Sequence, residues 1–150
     1  VKLNVVGRNP RSDLVAGIKG RSGIELVGRV PDVRPHVQGA IASVVPLLVG
    51  GGTRMKIFES LALQTPVVST TIGAEGLPLD HGKHILIADS PEDFARETIN
   101  VLSDSANSTG LGLRGAEFVR EKFGTAAVAR EFATICHETV DRVRRAKSAR

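Results

Sequence analysis

Five short apolar runs punctuate the chain at Leu3–Val6, Ile24–Gly28, Ala42–Pro46, Val67–Thr70 and Ile85–Ala88. They are rich in Val and Ile and mostly do not alternate with polar residues, the pattern of parallel strands covered on both faces. Between them, apolar positions recur at helical spacing over Asp13–Lys19 and Arg54–Leu63, with a short turn near Val33–Gln38. This alternation predicts an α/β fold built on an open parallel sheet with helices on both faces. After the last strand only helices are expected. Ser90-Pro91-Glu92-Asp93 is a helix start, with Ser90 as N-cap, Pro91 at the first helical position and Phe94, Ile99 and Leu102 on the buried face. Ser103–Gly112 is polar and contains glycines, so it reads as a loop. A further helix then runs to about Phe123, where Gly124 stops it. Thr125 caps a last helix whose Val128, Phe132, Ile135 and Thr139 share one side, with Cys136 on or beside that apolar face in the core.

The 150 residues suffice for one domain with a real core, and 41% hydrophobic with 24% charged residues is ordinary for a globular chain. The longest apolar run, Ile41–Val49, is broken by Pro46 and far too short to span a bilayer. The chain opens on Val1, straight into a strand, and reads as a domain cut from a longer protein. A lone cysteine excludes an internal disulfide and fits a reducing cytoplasm. The net charge of +4 belongs to residues 141–150, where Arg142, Arg144, Arg145, Lys147 and Arg150 stand against Asp141. That basic tail suits a frayed helix end, and it is also suited to touching anionic lipid. The body is neutral and has neither Trp nor Tyr, so nucleic acid is a poor candidate partner.

The stretch from Val44 to Ser69 carries the chemistry. It reads as strand, glycine turn, amphipathic helix and second strand, with Gly50, Gly51 and Gly52 at a strand's carboxyl end and a helix start. Unpaired amides and the helix dipole there favour an anion such as phosphate, and glycine lets the backbone approach it. The turn is neither a Walker motif, for want of Gly-Lys-Ser/Thr, nor a dinucleotide fingerprint, which needs glycine at Met55. Three glycines in a row exceed what a simple turn requires. Lys56 and Glu59 lie at the edge of the helix's apolar arc. Glu59 either points back to the turn and accepts from paired hydroxyls or sits in an exposed salt bridge with Lys56, and the helix alone does not choose. His81 and His84 lack the further ligands a metal site needs.

With these residues in view, the chain resembles the C-terminal, donor-binding domain of GT-B glycosyltransferases of the retaining family 4 type. The resemblance runs through VVGRNP, VGRVPDVRPH, VPLLVGGGTRMKIFESLALQTPVVSTTIGAEGL and HILIADSPEDFA. It implies a Rossmann-like domain that holds a nucleotide-sugar, with catalysis in a cleft against a separate N-terminal acceptor domain, and no metal or other cofactor. By resemblance, Glu59 is the second glutamate of a Glu-x7-Glu motif and binds ribose. The backbone of Gly52, Thr53, Arg54 and Met55 holds the diphosphate, Arg8 faces phosphate, and the loop at Val30 holds the base. Glu75, in the loop Thr70–Leu77, lines the sugar side. Two departures stand out: the motif's first glutamate is Gly51 here, and the lysine usual after the arginine is missing, its charge left to Arg11, Arg54 or Lys56. The expected function is the donor half of a glycosyl transfer enzyme, inactive alone, with Arg8 and Lys56 as the catalytic cations. The rivals are a sugar-nucleotide epimerase, for which no acid and base are placed, and a non-catalytic binding or protein-contact module.

Overall fold

The computed structural model describes residues 1–148. Strand β1 (Leu3–Val6) leads through helix α1 (Ser12–Ile18) to β2 (Ile24–Gly28), and short α2 (Arg34–Gln38) leads to β3 (Ser43–Val45). Helix α3 (Met55–Ala62) then joins β3 to β4 (Val67–Ser69), β5 (Leu86–Ile87) follows, and three helices close the chain: α4 (Pro91–Ser103), α5 (Ser105–Phe123) and α6 (Thr125–Ser148). Every strand pairing is parallel, as the hydrophobic pattern predicts. The hydrogen bonding falls into two sheets, β1-β2 and β3-β4-β5. Residues 1–44 contain no buried residue, so little packing pulls the first sheet onto the second. Pro46, with no N–H to give a ladder, follows directly on β3.

The core gathers around the second sheet. Val45, Ile57, Leu61, Val67 and Ile85 form one buried cluster, flanked by Leu47, Leu77, Ile87 and Val119. Helix α3 turns Ile57 and Leu61 inward, while Met55 and Ala62, at the limits of its apolar arc, stay exposed. On the same face the Ser60 hydroxyl donates to the Lys56 carbonyl at 2.9 Å and pairs with the Ser43 hydroxyl at 3.0 Å, which satisfies it inside the core.

The carboxyl-terminal helices correct four expectations. Residues 105–112 are not a loop but the first half of α5, capped by Asp104, whose side chain accepts from the Asn107 N–H at 3.0 Å. The glycines in it serve close packing on α3. A Cβ at Gly112 would lie 2.1 Å from the Gln64 carbonyl oxygen, and one at Gly115 would lie 2.6 Å from Leu61 Cδ2. On α4 the buried position is Val101, with Phe94, Thr98 and Leu102 half-buried; Ile99 is exposed because it falls on the other side of that stripe. Helix α6 begins at Thr125 itself, and the Gly124 carbonyl accepts from the Ala127 and Val128 amides. Its Val128, Phe132, Ile135 and Thr139 do share a side, but that side is exposed, as is Cys136. The expected core thiol is therefore a surface one. Of the basic tail, residues 149–150 lie outside the described residues. Among the described residues, no helix is long and apolar enough to cross a membrane.

Candidate functional site

Two groups of residues lie where loops leave the carboxyl ends of parallel strands. The first follows β1 and β2. Val6, Gly7, Arg8, Arg29, Val30 and Val33 line a cleft of about 390 Å³. It brings together Arg8 and Val30, both singled out from the sequence, and adds Arg29, which sequence reasoning passed over. Beside it, Asp32 accepts from the Arg34 amide at 3.0 Å and from Arg34 Nε at 2.9 Å. Those bonds hold the Asp32 carboxyl below its usual range and fix the start of α2 after the Val30 loop.

The second group surrounds the glycine turn between β3 and α3. Gly50, Gly51, Gly52 and Thr53 are exposed, and Gly52 has φ +84°, a left-handed conformation that a side chain would strain. Arg54 flanks α3 at the position usually held by a capping Ser or Asp, yet no side chain caps this helix. Its own side chain is buried, only 6% exposed. Nη1 donates to the Gly51 carbonyl at 3.2 Å, while Nη2 donates to Gly50 at 3.1 Å and to Ile72 at 2.9 Å. The Glu75 carboxylate, itself largely exposed, stands 3.7 Å from Nη2. Nε is buried with no acceptor, an arrangement that costs about 1–3 kcal/mol. A guanidinium thus ties the glycine turn to the loop after β4. Its burial leaves Arg54 placed to act on backbone rather than as a free cation.

The loop after β4 is braced a second time at Thr71, beside Ile72. Asp89 accepts from the Thr71 amide and hydroxyl, both at 2.7 Å, and these bonds hold its carboxyl below the ordinary range. Lys56 and Glu59 are exposed on the first turns of α3, and among the described residues they form no ion pair with each other. The salt-bridge alternative for Glu59 is therefore not what the structure shows. Arg11, one candidate for the missing cation, is exposed and pairs with Asp13 at 2.7 Å. His81 and His84 act as loop braces. The Nδ1 of His81 accepts from the Ile87 amide at 2.9 Å, and that of His84 accepts from the Asp80 amide at 3.1 Å.

The structure therefore unites Arg8 with Val30, and Arg54 with Gly50, Gly51 and Glu75. The lining of the 390 Å³ cleft includes none of the glycine-turn residues. What sequence reasoning missed is the direction of the Arg54 side chain. The available signal was a long cation standing where a helix normally has a short capping residue.

The exposed glycine turn leads into α3 at the carboxyl end of a parallel β-strand, the edge at which open α/β sheets bind their ligands. Residues 1–104 match the glycosyl transferases group 1 family, and the chain belongs to it. The chain is also similar to an "uncharacterized 44.6 kDa protein in cps region" of Klebsiella pneumoniae, 29% identical over 83 residues. That match covers 55% of this chain and 21% of the relative, so the chain spans a small part of that protein's length. Family membership supports glycosyl transfer as the general chemistry, on a Rossmann-like α/β domain.

Proposed function

We propose that this chain is the donor-binding domain of a retaining, GT-B type glycosyltransferase that moves a hexosyl group from a nucleotide-diphosphate-sugar to an acceptor. The observation that carries the reading is the Gly50–Thr53 turn: exposed, held from beneath by Arg54, and followed by a helix with no side-chain cap. The diphosphate rests on the amides from Gly50 to Met55. Lys56 and Arg8 neutralise charge as the bond between the anomeric carbon and the phosphate oxygen breaks and its electron pair leaves with the diphosphate. The acceptor's hydroxyl oxygen meanwhile bonds the anomeric carbon, and its proton passes to the departing diphosphate. These cations and the helix dipole make a metal ion unnecessary in this reading. Glu59, exposed and one turn further along, accepts from the ribose hydroxyls, and the loop at Val30 takes the base. Glu75 lines the sugar side. The acceptor is held by an N-terminal domain, so the isolated chain binds donor without transferring sugar. The setting is cytoplasmic, with Arg142, Arg144 and Arg145 of α6 available to anionic lipid at the inner membrane face.

Titration of the chain with UDP-, GDP- and ADP-sugars, read by calorimetry or ligand-observed NMR, tests this. One donor class should bind, and Glu59→Ala should weaken it by roughly 5- to 30-fold for the loss of about 1–2 kcal/mol of hydrogen bonding. Silence from every donor sinks the reading. It would favour a non-catalytic module, for which Gly51 is the motivating observation, since the resembling motif has glutamate there. Nothing lies within 4 Å of a Cβ built at Gly51. Gly51→Glu is therefore sterically open, and it should raise donor affinity in the transferase reading and leave a protein-contact module unchanged.

A further inference from the structure

We propose that Arg54 is a positioning residue. Its buried guanidinium sets the shape of the glycine turn by gripping the turn's carbonyls, and it does so without touching the ligand. The inference rests on the reading of that turn as the diphosphate seat.

Three successive glycines have no side chains with which to hold a shape, and each has wide conformational freedom. Gly50, Gly51 and Gly52 are exposed, so core packing does not fix them either. What does reach them is Arg54, which takes the carbonyl of Gly50 through Nη2 and that of Gly51 through Nη1. The same Nη2 reaches Ile72 in the neighbouring loop. With both carbonyls turned toward the guanidinium, the turn has one orientation rather than many, and the amides of the turn keep it too. A planar fork of donors is needed for this; a lysine ammonium concentrates its donors at one point and does not span three carbonyls.

The cost of the arrangement supports a role beyond packing. A buried Nε goes without an acceptor, and the carboxylate nearest the charge, Glu75, is largely exposed. A leucine or methionine would fill the same space without either penalty, though it would grip nothing. Arg54 also occupies the flank of α3 without capping it, its guanidinium being spent on the carbonyls of Gly50, Gly51 and Ile72 instead. The geometry makes Arg54 the link through which the loop bearing Glu75 and the glycine turn move as one piece.

The test uses the full chain with Arg54→Lys and Glu75→Gln, and inorganic pyrophosphate and UDP as probes. In the wild type, 15N relaxation of the Gly51 and Gly52 amides should give order parameters near 0.85, and Arg54→Lys should drop them below about 0.6. Core amides at Leu61, Val67 and Val68 should keep their order. Binding of either probe should weaken at least tenfold in Arg54→Lys, although the charge is retained. Glu75→Gln, which leaves all three carbonyl bonds, should keep the Gly51 and Gly52 order parameters near 0.85. A lysine variant with a rigid turn, or one with a loosened turn and unchanged affinity, overturns the proposal. The wild type supplies a check that needs no variant to fold: clamped Nη protons should appear as separate, slowly exchanging signals, and a single averaged signal overturns the clamp. If wild-type protein binds neither probe while the relaxation and Nη results hold, the diphosphate reading fails and the clamp stands.

Discussion

His84 is 4% exposed, with its ring 4.3 Å from that of Phe118 and its Nδ1 accepting from the Asp80 amide. Burial pushes its pKa below the ordinary value of 6.5, and the positive charges of Lys83 and Arg114 push the same way, against a smaller opposite pull from the Asp80 carboxylate. Protonating Nδ1 would also remove the acceptor that the Asp80 amide uses. The folded imidazole therefore takes a proton at lower pH than the unfolded one, so unfolding takes up protons below about pH 6.5 and stability falls with the pH there. Thermal unfolding followed from pH 7.5 to 5.5 should show a falling Tm. His84→Asn, whose Oδ1 replaces the acceptor without titrating, should flatten that slope even if the variant is less stable throughout. Asp32, Asp89 and Asp93 belong to another window. Their pKa values are depressed below 3.8, so their contributions persist well below pH 5 and are lost only as the pH falls below 3.8 toward the depressed folded values. An unchanged slope in the asparagine variant would remove His84 as the cause.

At the scale of elements, the glycines of α5 decide how two helices meet. Adding a methyl group at Gly112 puts it 2.1 Å from the backbone oxygen of Gln64, an atom that no rotamer change moves aside. Gln64 already has φ +61°, so the chain there has little room to adjust. Gly112→Ala should destabilise the domain by about 1–3 kcal/mol, lowering Tm by roughly 3–10 °C in a calorimetric scan. Gly110→Ala, on the same helix with only the flexible Arg114 side chain nearby, should stay within about 1 kcal/mol. The same glycines explain a limit of sequence reading. The five strands were legible because each is a dense Val/Ile run, and the start of α4 because Ser90, Pro91 and Asp93 form a local signal; Ser90 Oγ does accept from the Asp93 amide at 3.0 Å. Residues 105–112 were misread as a loop because their glycines answer to α3, a partner distant in sequence, and a local pattern does not show what a glycine is packed against.

For the whole molecule, burial is distributed unevenly: the second sheet and α3 hold the core, while residues 1–44 and α6 hold none of it. The site was legible to the same degree. Exposed glycines ahead of a helix announce themselves, since their chemistry is backbone chemistry written in consecutive residues. Arg54 did not, because its contacts depend on Ile72 and Glu75 arriving from another loop, and Cys136 did not, because an apolar stripe says nothing of whether a partner covers it. That stripe gives the clearest global prediction. Helix α6 is about 36 Å long and exposes Val128, Phe132, Ile135, Val140 and Val143 to solvent. The domain's aromatic packing reaches Phe123, which meets Phe58 at a centroid distance of 4.7 Å, and of α6 only Ala127, in its first turn, is half-buried among the described residues. A helix that buries so little contributes little to the stability of the body it leaves. Deleting residues 125–150 should therefore shift Tm by only about 2–4 °C, the equivalent of 1 kcal/mol. It should also leave donor affinity within twofold, because no residue assigned to the site lies beyond Glu75. A truncated chain that unfolds outright would mean that α6 folds back onto the body in solution, and the exposed stripe would then belong to the domain's own core.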